Sequence, residues 1–226
     1  MMGWLRKTPD EVRAASFRDA PAGPVSEYLG VPFPSLRSRL DEVPLLALDL
    51  ETTGLDPSGD RILSIGFVPV DGREIRLGGA CHLLVRSELE VGQSATIHGI
   101  TDDALSTGVP LREALVRTLE ALRGRALLAH YARVETEFLA AACRAEFGAE
   151  PVFTVVDTLW LGQEWLEHSL DAIPRGHLRL WSLRDRFRLP RYKAHNALTD
   201  ALSCAELYLA LTDELGLGTL KQAYSR

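Results

Sequence analysis

Two carboxylates, Asp49 and Glu51, stand two residues apart at the end of the apolar run that begins at Leu45. In an extended strand successive side chains alternate between faces, so both acids point one way while Leu48 and Leu50 point the other. Carboxylates held together in so apolar a strand repel and lose hydration unless a cation compensates. A hard divalent ion, at home among carboxylates, water and substrate phosphate, is the natural compensator. Two alternatives stay open on these residues alone: a strand end dipping into solvent, where an acidic pair is harmless, and a phosphatase with Asp49 as its nucleophile.

Two further clusters carry titratable groups. In Lys193-Ala194-His195-Asn196-Ala197-Leu198-Thr199-Asp200, His195 and Asp200 are five apart. That separation puts two helical residues on different faces, so His195 is expected on the loop leading in and Asp200 in the early turns of a helix. A loop histidine titrating near neutrality suits proton transfer from water, whereas a helix-borne carboxylate suits metal binding. The third cluster runs from Leu127-Leu128-Ala129-His130-Tyr131 into a helix that starts near Glu135, with Phe138 and Leu139 buried a turn later. Taken alone, Glu135 is a first-turn glutamate favoured by the helix dipole.

The elements that must position these clusters are legible from periodicity. Leu45 to Leu50, Ile62 to Val70 and Cys81 to Val85 read as a meander of three strands, with Asp71-Gly72 as a tight turn. Thr101-Asp102-Asp103 reads as a short helix start, and Pro110 opens a longer helix with Leu111, Leu115, Leu119 and Leu122 on one face before Gly124. Strands are expected at Ala126 to His130 and Val152 to Val156, helices from Glu135 to Phe147 and around Leu159 to Leu161. A final helix carries a stripe of Leu198, Ala201, Leu202, Ala205, Leu209 and Leu215. This succession predicts an α/β fold with a mixed sheet and helices on its faces. Ahead of it, Thr8-Pro9-Asp10-Glu11 is a capping box opening a helix to about Asp19. The chain then stays extended to a domain boundary near Asp41.

Composition narrows the class. The 226 residues are 46% hydrophobic and 25% charged, an ordinary globular balance. Cys81, Cys143 and Cys204 are scattered and odd in number, which indicates neither a disulfide framework nor a zinc knuckle. No apolar run approaches the roughly 18 to 20 residues of a membrane span and no signal-like segment is seen, so a cytoplasmic location is expected. The net charge of -6 disfavours a protein that coats nucleic acid. Locally the picture differs: between Arg175 and Lys193 six Arg and one Lys face a single acid, Asp185, which makes +6 and leaves -12 for the rest. That stretch leads into His195 and could track backbone phosphates, with Trp181 or Tyr192 for stacking. A solvated basic helix with Trp181 in the core is the competing view.

Taken in order, these clusters resemble the DEDD 3'-5' exonucleases of the histidine-bearing (DEDDh) subclass, which includes the proofreading epsilon subunit of polymerase III, ribonuclease T and oligoribonuclease. Leu48 to Leu55 followed by Arg61 to Gly66 is similar to the first motif, His98-Gly99-Ile100-Thr101 to the element after the meander, Ala129 to Leu139 to the second motif, and His195 to Ala201 to the third. The resemblance spans about Leu45 to Leu211. It implies a ribonuclease-H-like mixed five-stranded sheet flanked by helices, with a partly helical N-terminal extension. It also implies two divalent cations, Mg2+ or Mn2+, held by Asp49, Glu51, Glu135 and Asp200, with His195 as general base. Thr52, Thr53, Gly54, Leu55, His98 and His130 would contact the terminal nucleotide. The implied partner is nucleic acid with a free 3' end, without a membrane; a polymerase or other protein, or a second copy of the chain as a homodimer, are the protein partners it admits.

One departure stands out. The family has Asp where this chain has Glu135, and Tyr131 and Val134 replace Asn and Phe. The extra methylene shifts the carboxylate by about 1.5 Å, a displacement that can cost about a hundredfold in rate. Glu137 is the fallback ligand. The expected activity is 3'-5' exonuclease on single-stranded or frayed ends, DNA slightly favoured. RNA trimming and a catalytically weakened nucleic-acid-binding module are the alternatives. The expected organisation is an extension over 1–40, an exonuclease domain over 41–217 and a tail over 218–226.

Overall fold

The alternation around Asp49 is realised in β1 (Pro44–Thr52) of the computed structural model, which describes residues 7–86 and 105–225. β1 pairs antiparallel with β2 (Ile62–Asp71), and the turn at Gly72 leads into a two-residue β3 (Glu74–Ile75). β4 (Cys81–Leu84) joins the same outer edge of β2 along Ser64 to Phe67. On the other side of β1 lie β5 (Ala126–Ala129) and then β6 (Val155–Asp157), both parallel. The order is β3-β2-β1-β5-β6 with β4 beside β2. This is the expected mixed sheet, with the short β3 added.

Helices cover both faces. α1 (Pro9–Asp19) and α2 (Pro24–Leu29) precede the sheet, α3 (Leu111–Leu122) and α4 (Arg133–Phe147) flank β5, and α5 (Thr158–Glu167) follows β6. α6 (Leu180–Arg186), α7 (Ala197–Glu214) and the short α8 (Leu220–Ala223) complete the chain. The period of two in β1 divides the core. Leu46, Leu48 and Leu50 pack with Leu115, Leu119, Phe138 and Leu139 on the α3/α4 face. Leu45 and Ala47 pack with Leu161, Leu183, Ala205 and Tyr208 on the α5/α7 face. Truncating one such buried leucine to alanine costs about 2–5 kcal/mol.

The capping box at Thr8 and Glu11 forms, and α1 ends at Asp19 as the sequence indicates. The segment behind it does not stay extended, because α2 intervenes. Val25, Tyr28, Leu29 and Phe33 enter the α3/α4 core, and the Tyr28 hydroxyl donates to the Val152 carbonyl at 2.9 Å. Six residues are too few for a helical period to show in sequence. Two boundaries also move. The strand expected from Val152 begins at Val155 and ends on Asp157, while α4 starts at Arg133 rather than Glu135. In α7 the deepest face is Ala201, Cys204, Ala205, Tyr208 and Leu211, so Leu198, Leu202, Leu209 and Leu215 of the expected stripe are only partly covered. The chain end packs as well: Ser225 N–H donates to the Val155 carbonyl at the β6 edge. His98 and the helix start at Thr101-Asp102-Asp103 lie outside the described residues. Among the described residues no helix is long and apolar enough to cross a membrane.

Candidate active site

Asp49 and Glu51 share the face of β1 that carries Leu45 and Ala47, and they therefore look toward α7. The parallel β5 pairs with β1 only as far as Ala47 and Leu128. Both acids thus lie beyond the paired stretch, at the carboxyl end of the parallel strands, where α/β sheets leave a crevice for ligands. α7 brings the third acid. Asn196 caps this helix, its Oδ1 accepting from Thr199 N–H at 3.1 Å, and Asp200 falls in the first turn. One carboxylate oxygen each from Asp49, Glu51 and Asp200 lie within 4.8 Å of one another.

His195 takes the loop position expected of it, exposed, with a left-handed φ of 66°. Its backbone N–H donates to Asp200 Oδ2 at 2.9 Å, which ties the loop to the helix that follows. Glu135 comes from the opposite side, in the first turn of α4, and is 3% exposed. Its Oε2 is buried without a protein hydrogen-bond partner, and so is Asp200 Oδ1. Buried carboxylate oxygens left in this state are costly unless something cationic meets them.

The electrostatics tell the same story. Asp49 is half-buried, and burial pushes its carboxyl well above the usual range, with Glu135, Asp200 and Glu51 adding repulsion in that order. Burial raises Glu51 to about 7, with Asp200 contributing. Glu135 and Asp200 also rise, burial being the main cause, although the His195 N–H bond pulls Asp200 partly back. Three carboxylate oxygens within 4.8 Å of one another, with the buried Glu135 adding repulsion on Asp49, are the chemistry of a hard divalent cation site, and these residues fit one. This chain therefore uses a divalent metal.

Three features of the surrounding structure are given no role by the sequence reading. Gly66 sits opposite Asp49 in the β1–β2 ladder, and a Cβ there would overlap the backbone of Ala197 and Leu198. Asp157 caps α5, accepting from Leu159 N–H at 2.8 Å, and also accepts from Tyr131 and Ala132 N–H, each at 2.9 Å. An Asp-Thr-Leu step from strand to helix is an N-cap signal that could have flagged it. Arg184, counted as surface charge in sequence, is 1% exposed. It donates to the Ser203 and Pro190 carbonyls and pairs with Glu206 at 2.7 Å. Its guanidinium carbon lies 5.6 Å from the Trp181 ring and 5.1 Å from that of Tyr192. Tyr192 also donates to Glu206 at 2.9 Å, and Phe187 stacks on Trp165. Arg184 is therefore a structural brace behind the His195 loop, whereas Arg175, Arg179, Arg186, Arg188, Arg191 and Lys193 of the same stretch are exposed.

The remaining expected contacts divide. Thr52 Oγ1 donates to the Gly54 carbonyl at 2.6 Å and Thr53 Oγ1 to Asp60 at 2.9 Å, which shapes a turn that leaves Leu55 78% exposed. His130 faces inward, its Nδ1 2.9 Å from Thr158 Oγ1 and its Nε2 2.9 Å from the Leu178 carbonyl. Burial holds this imidazole below its ordinary pKa. Glu137 points away, paired with Arg133 at 2.7 Å on the surface.

Comparison with known proteins agrees with this geometry. The Exonuclease family model matches residues 46–208. The DNA polymerase III subunit epsilon of Treponema pallidum is 30% identical over 171 residues, covering 76% of this chain and 77% of that protein. The PolC-type DNA polymerase III of Thermotoga maritima is 29% identical over 180 residues, and there the chain covers 78% of its own length but spans only 12% of the relative. Among solved structures, E. coli Exonuclease I with a dT13 oligonucleotide superposes with a TM-score of 0.64 at 15% identity, over 77% of this chain and 42% of that one. Exonuclease X in complex with 5' overhanging duplex DNA gives 0.59 at 20% identity, over 79% and 97%. These likenesses show a shared fold, that of ribonuclease-H-like nucleases. With a family match running from residue 46 to residue 208 and enclosing Asp49, Glu51, Glu135, His195 and Asp200, the chain belongs to the exonuclease family.

Proposed function

We propose that this protein is a 3'-5' exonuclease of the histidine-bearing subclass that removes nucleotides from single-stranded or frayed 3' ends, with DNA favoured over RNA. The observation that carries this reading is the convergence of Asp49, Glu51 and Asp200 oxygens within 4.8 Å, with the buried Glu135 close enough to repel the charge of Asp49. Asp49, Glu51, Glu135 and Asp200 would hold two ions, Mg2+ or Mn2+. When bound, these would stabilise charge on the attacking and leaving oxygens of a phosphodiester. His195, exposed on its loop, accepts the proton of the attacking water. The turn of Thr52, Thr53 and Gly54 receives the terminal nucleotide and the exposed Leu55 supports its base, with His98 assigned to the same pocket from sequence. His130 acts from behind, its ring held by Thr158 and Leu178.

The relatives named as DNA polymerase III subunits support DNA as substrate, a polymerase or other protein partner and a cytoplasmic location. We assign the catalytic domain to 41–217, which contains the family match, with 1–40 as an extension and 218–226 as a tail. The test is digestion of 5'-labelled and 3'-labelled DNA and RNA oligonucleotides with Mg2+ or Mn2+. A ladder of shortening products from the 5' label, with immediate mononucleotide release from the 3' label, is expected, fastest on DNA. Internal cuts or the opposite polarity would refute the reading, and faster RNA digestion would reassign the substrate.

A further inference from the structure

Helix α4 begins without a side-chain cap of its own, since its N-cap residue is Ala132. The first N–H groups of a helix have no partner within the helix and need an acceptor from elsewhere. Here the acceptor comes from 25 residues away in sequence. Asp157 Oδ2 takes Ala132 N–H at 2.9 Å, while Oδ1 takes both Tyr131 N–H at 2.9 Å and Leu159 N–H at 2.8 Å. Tyr131 is held with φ of 69°, a left-handed conformation costly for a bulky residue unless its surroundings enforce it. Bonds from backbone N–H groups to an ionised carboxylate are among the stronger hydrogen bonds and can enforce it. Asp157 is itself fixed, pairing with Ala129 in the β5–β6 ladder and donating its N–H to Ser225 Oγ at 3.1 Å.

Rather than serving as a ligand, Asp157 has both oxygens engaged by backbone donors. Three residues past Ala132 comes Glu135, buried and with Oε2 lacking a protein partner. We propose that Asp157 is a positioning residue, whose clamp on the Tyr131–Ala132 turn sets the start of α4 and thereby aims the Glu135 carboxylate at the divalent-ion site. This rests on the metal-site reading above. It also gives a reason why a glutamate can stand at this position: the longer side chain reaches the cluster from a backbone whose place is fixed by a second strand.

Two variants separate the clamp from the α5 cap. Asp157→Asn keeps an acceptor for part of the set but puts an amide donor against one N–H. Asp157→Ser can still cap Leu159 but is too short for the Tyr131–Ala132 turn. Mn2+ binding to the full chain, read by electron paramagnetic resonance of free Mn2+ without substrate, is expected to weaken about 10–100-fold in both. Single-turnover rates on a labelled oligonucleotide should fall by a similar factor, with KM within about twofold of wild type. In a Glu135→Gln background, Asp157→Asn should change Mn2+ affinity less than about twofold, which a general loss of stability would not reproduce. Wild-type Mn2+ affinity in folded Asp157→Asn and Asp157→Ser would overturn the inference. So would losses that track the unfolded fraction alone. If wild type itself bound no Mn2+, or Asp49→Ala bound it equally well, the metal-site reading would fall instead.

Discussion

The backbone of Ala197 lies against Gly66 at the place where any other residue would carry its Cβ. Since Gly66 is the ladder partner of Asp49, the missing side chain is what lets the start of α7 close over the acidic face of β1. One turn on, that closure brings Asp200 to Asp49 and Glu51. Hydrogen bonds within this segment shape its start, with His195 N–H on Asp200 Oδ2 and Thr199 N–H on Asn196 Oδ1.

Gly66→Ala should therefore push α7 away from the sheet. The overlap is with backbone, which cannot rotate aside, so a stability loss of about 1–3 kcal/mol is expected, as for other overpacked cores. Displacing Asp200 by even an ångström should cost about a hundredfold in rate. Thermal unfolding and initial rates measured on the same preparation check both, and a variant as active as wild type would show that the approach is not needed.

Metal-free stability should depend on pH in an unusual direction. Glu51 is raised from 4.5 to about 7 by burial and by Asp200, so the folded chain keeps a proton that the unfolded chain has released. Its contribution to stability is present at low pH and is lost as pH rises through about 7. After chelation, the unfolding temperature should be higher at pH 6 than at pH 8. Mn2+ favours the ionised carboxylates, so the increase it produces should be larger at pH 8 than at pH 6. Equal Mn2+ effects at both pH values would count against these acids as the binding groups.

Glu135→Asp would draw the carboxylate back by about 1.5 Å from a helix start held in place by Asp157. A fall in rate of about 10–100-fold is expected, the scale of errors in site geometry. A gain would mean that the natural glutamate is the compromised form, and Mn2+ and Mg2+ titrations of the rate tell which ion tolerates the change.

Arg184→Met should destabilise the chain by about 3 kcal/mol, the low end for breaking a buried pair because Glu206 keeps 23% exposure. Losing the bond to the Pro190 carbonyl should also loosen residues 188–195. Chemical denaturation and amide hydrogen exchange of that loop would read the two effects separately, and unchanged exchange at Lys193 to His195 would restrict Arg184 to packing.

The parts of this site visible in sequence are those set by local geometry. A period of two puts Asp49 and Glu51 on one face of β1, and a spacing of five separates a loop histidine from a helix carboxylate. Gly66, Asp157 and Arg184 act through contacts that join distant segments, such as Asp157 to Tyr131 and Arg184 to Ser203. In the sequence Gly66 is one residue of the strand Ile62 to Val70 and of the first motif, Asp157 carries no assignment, and Arg184 is one charge of a basic stretch. The apparent basic patch illustrates the difference: charge counting cannot distinguish Arg188, exposed, from Arg184, which is buried between Trp181 and Tyr192. α2 was hidden for another reason, since its six residues fall below any usable helical period.

Asp49 is the acid on which the others converge, with Glu135, Asp200 and Glu51 all repelling its charge. The most direct measurement is hydrolysis of a labelled single-stranded oligonucleotide by Asp49→Asn across a Mn2+ titration, alongside its metal-free unfolding temperature at pH 8. Loss of about a hundred- to a thousandfold in rate, the scale of a removed charge-stabilising group, with an unfolding temperature equal to or above that of wild type, is the predicted result. Product formation equal to wild type at the same Mn2+ concentration would contradict a divalent-metal site built on this carboxylate.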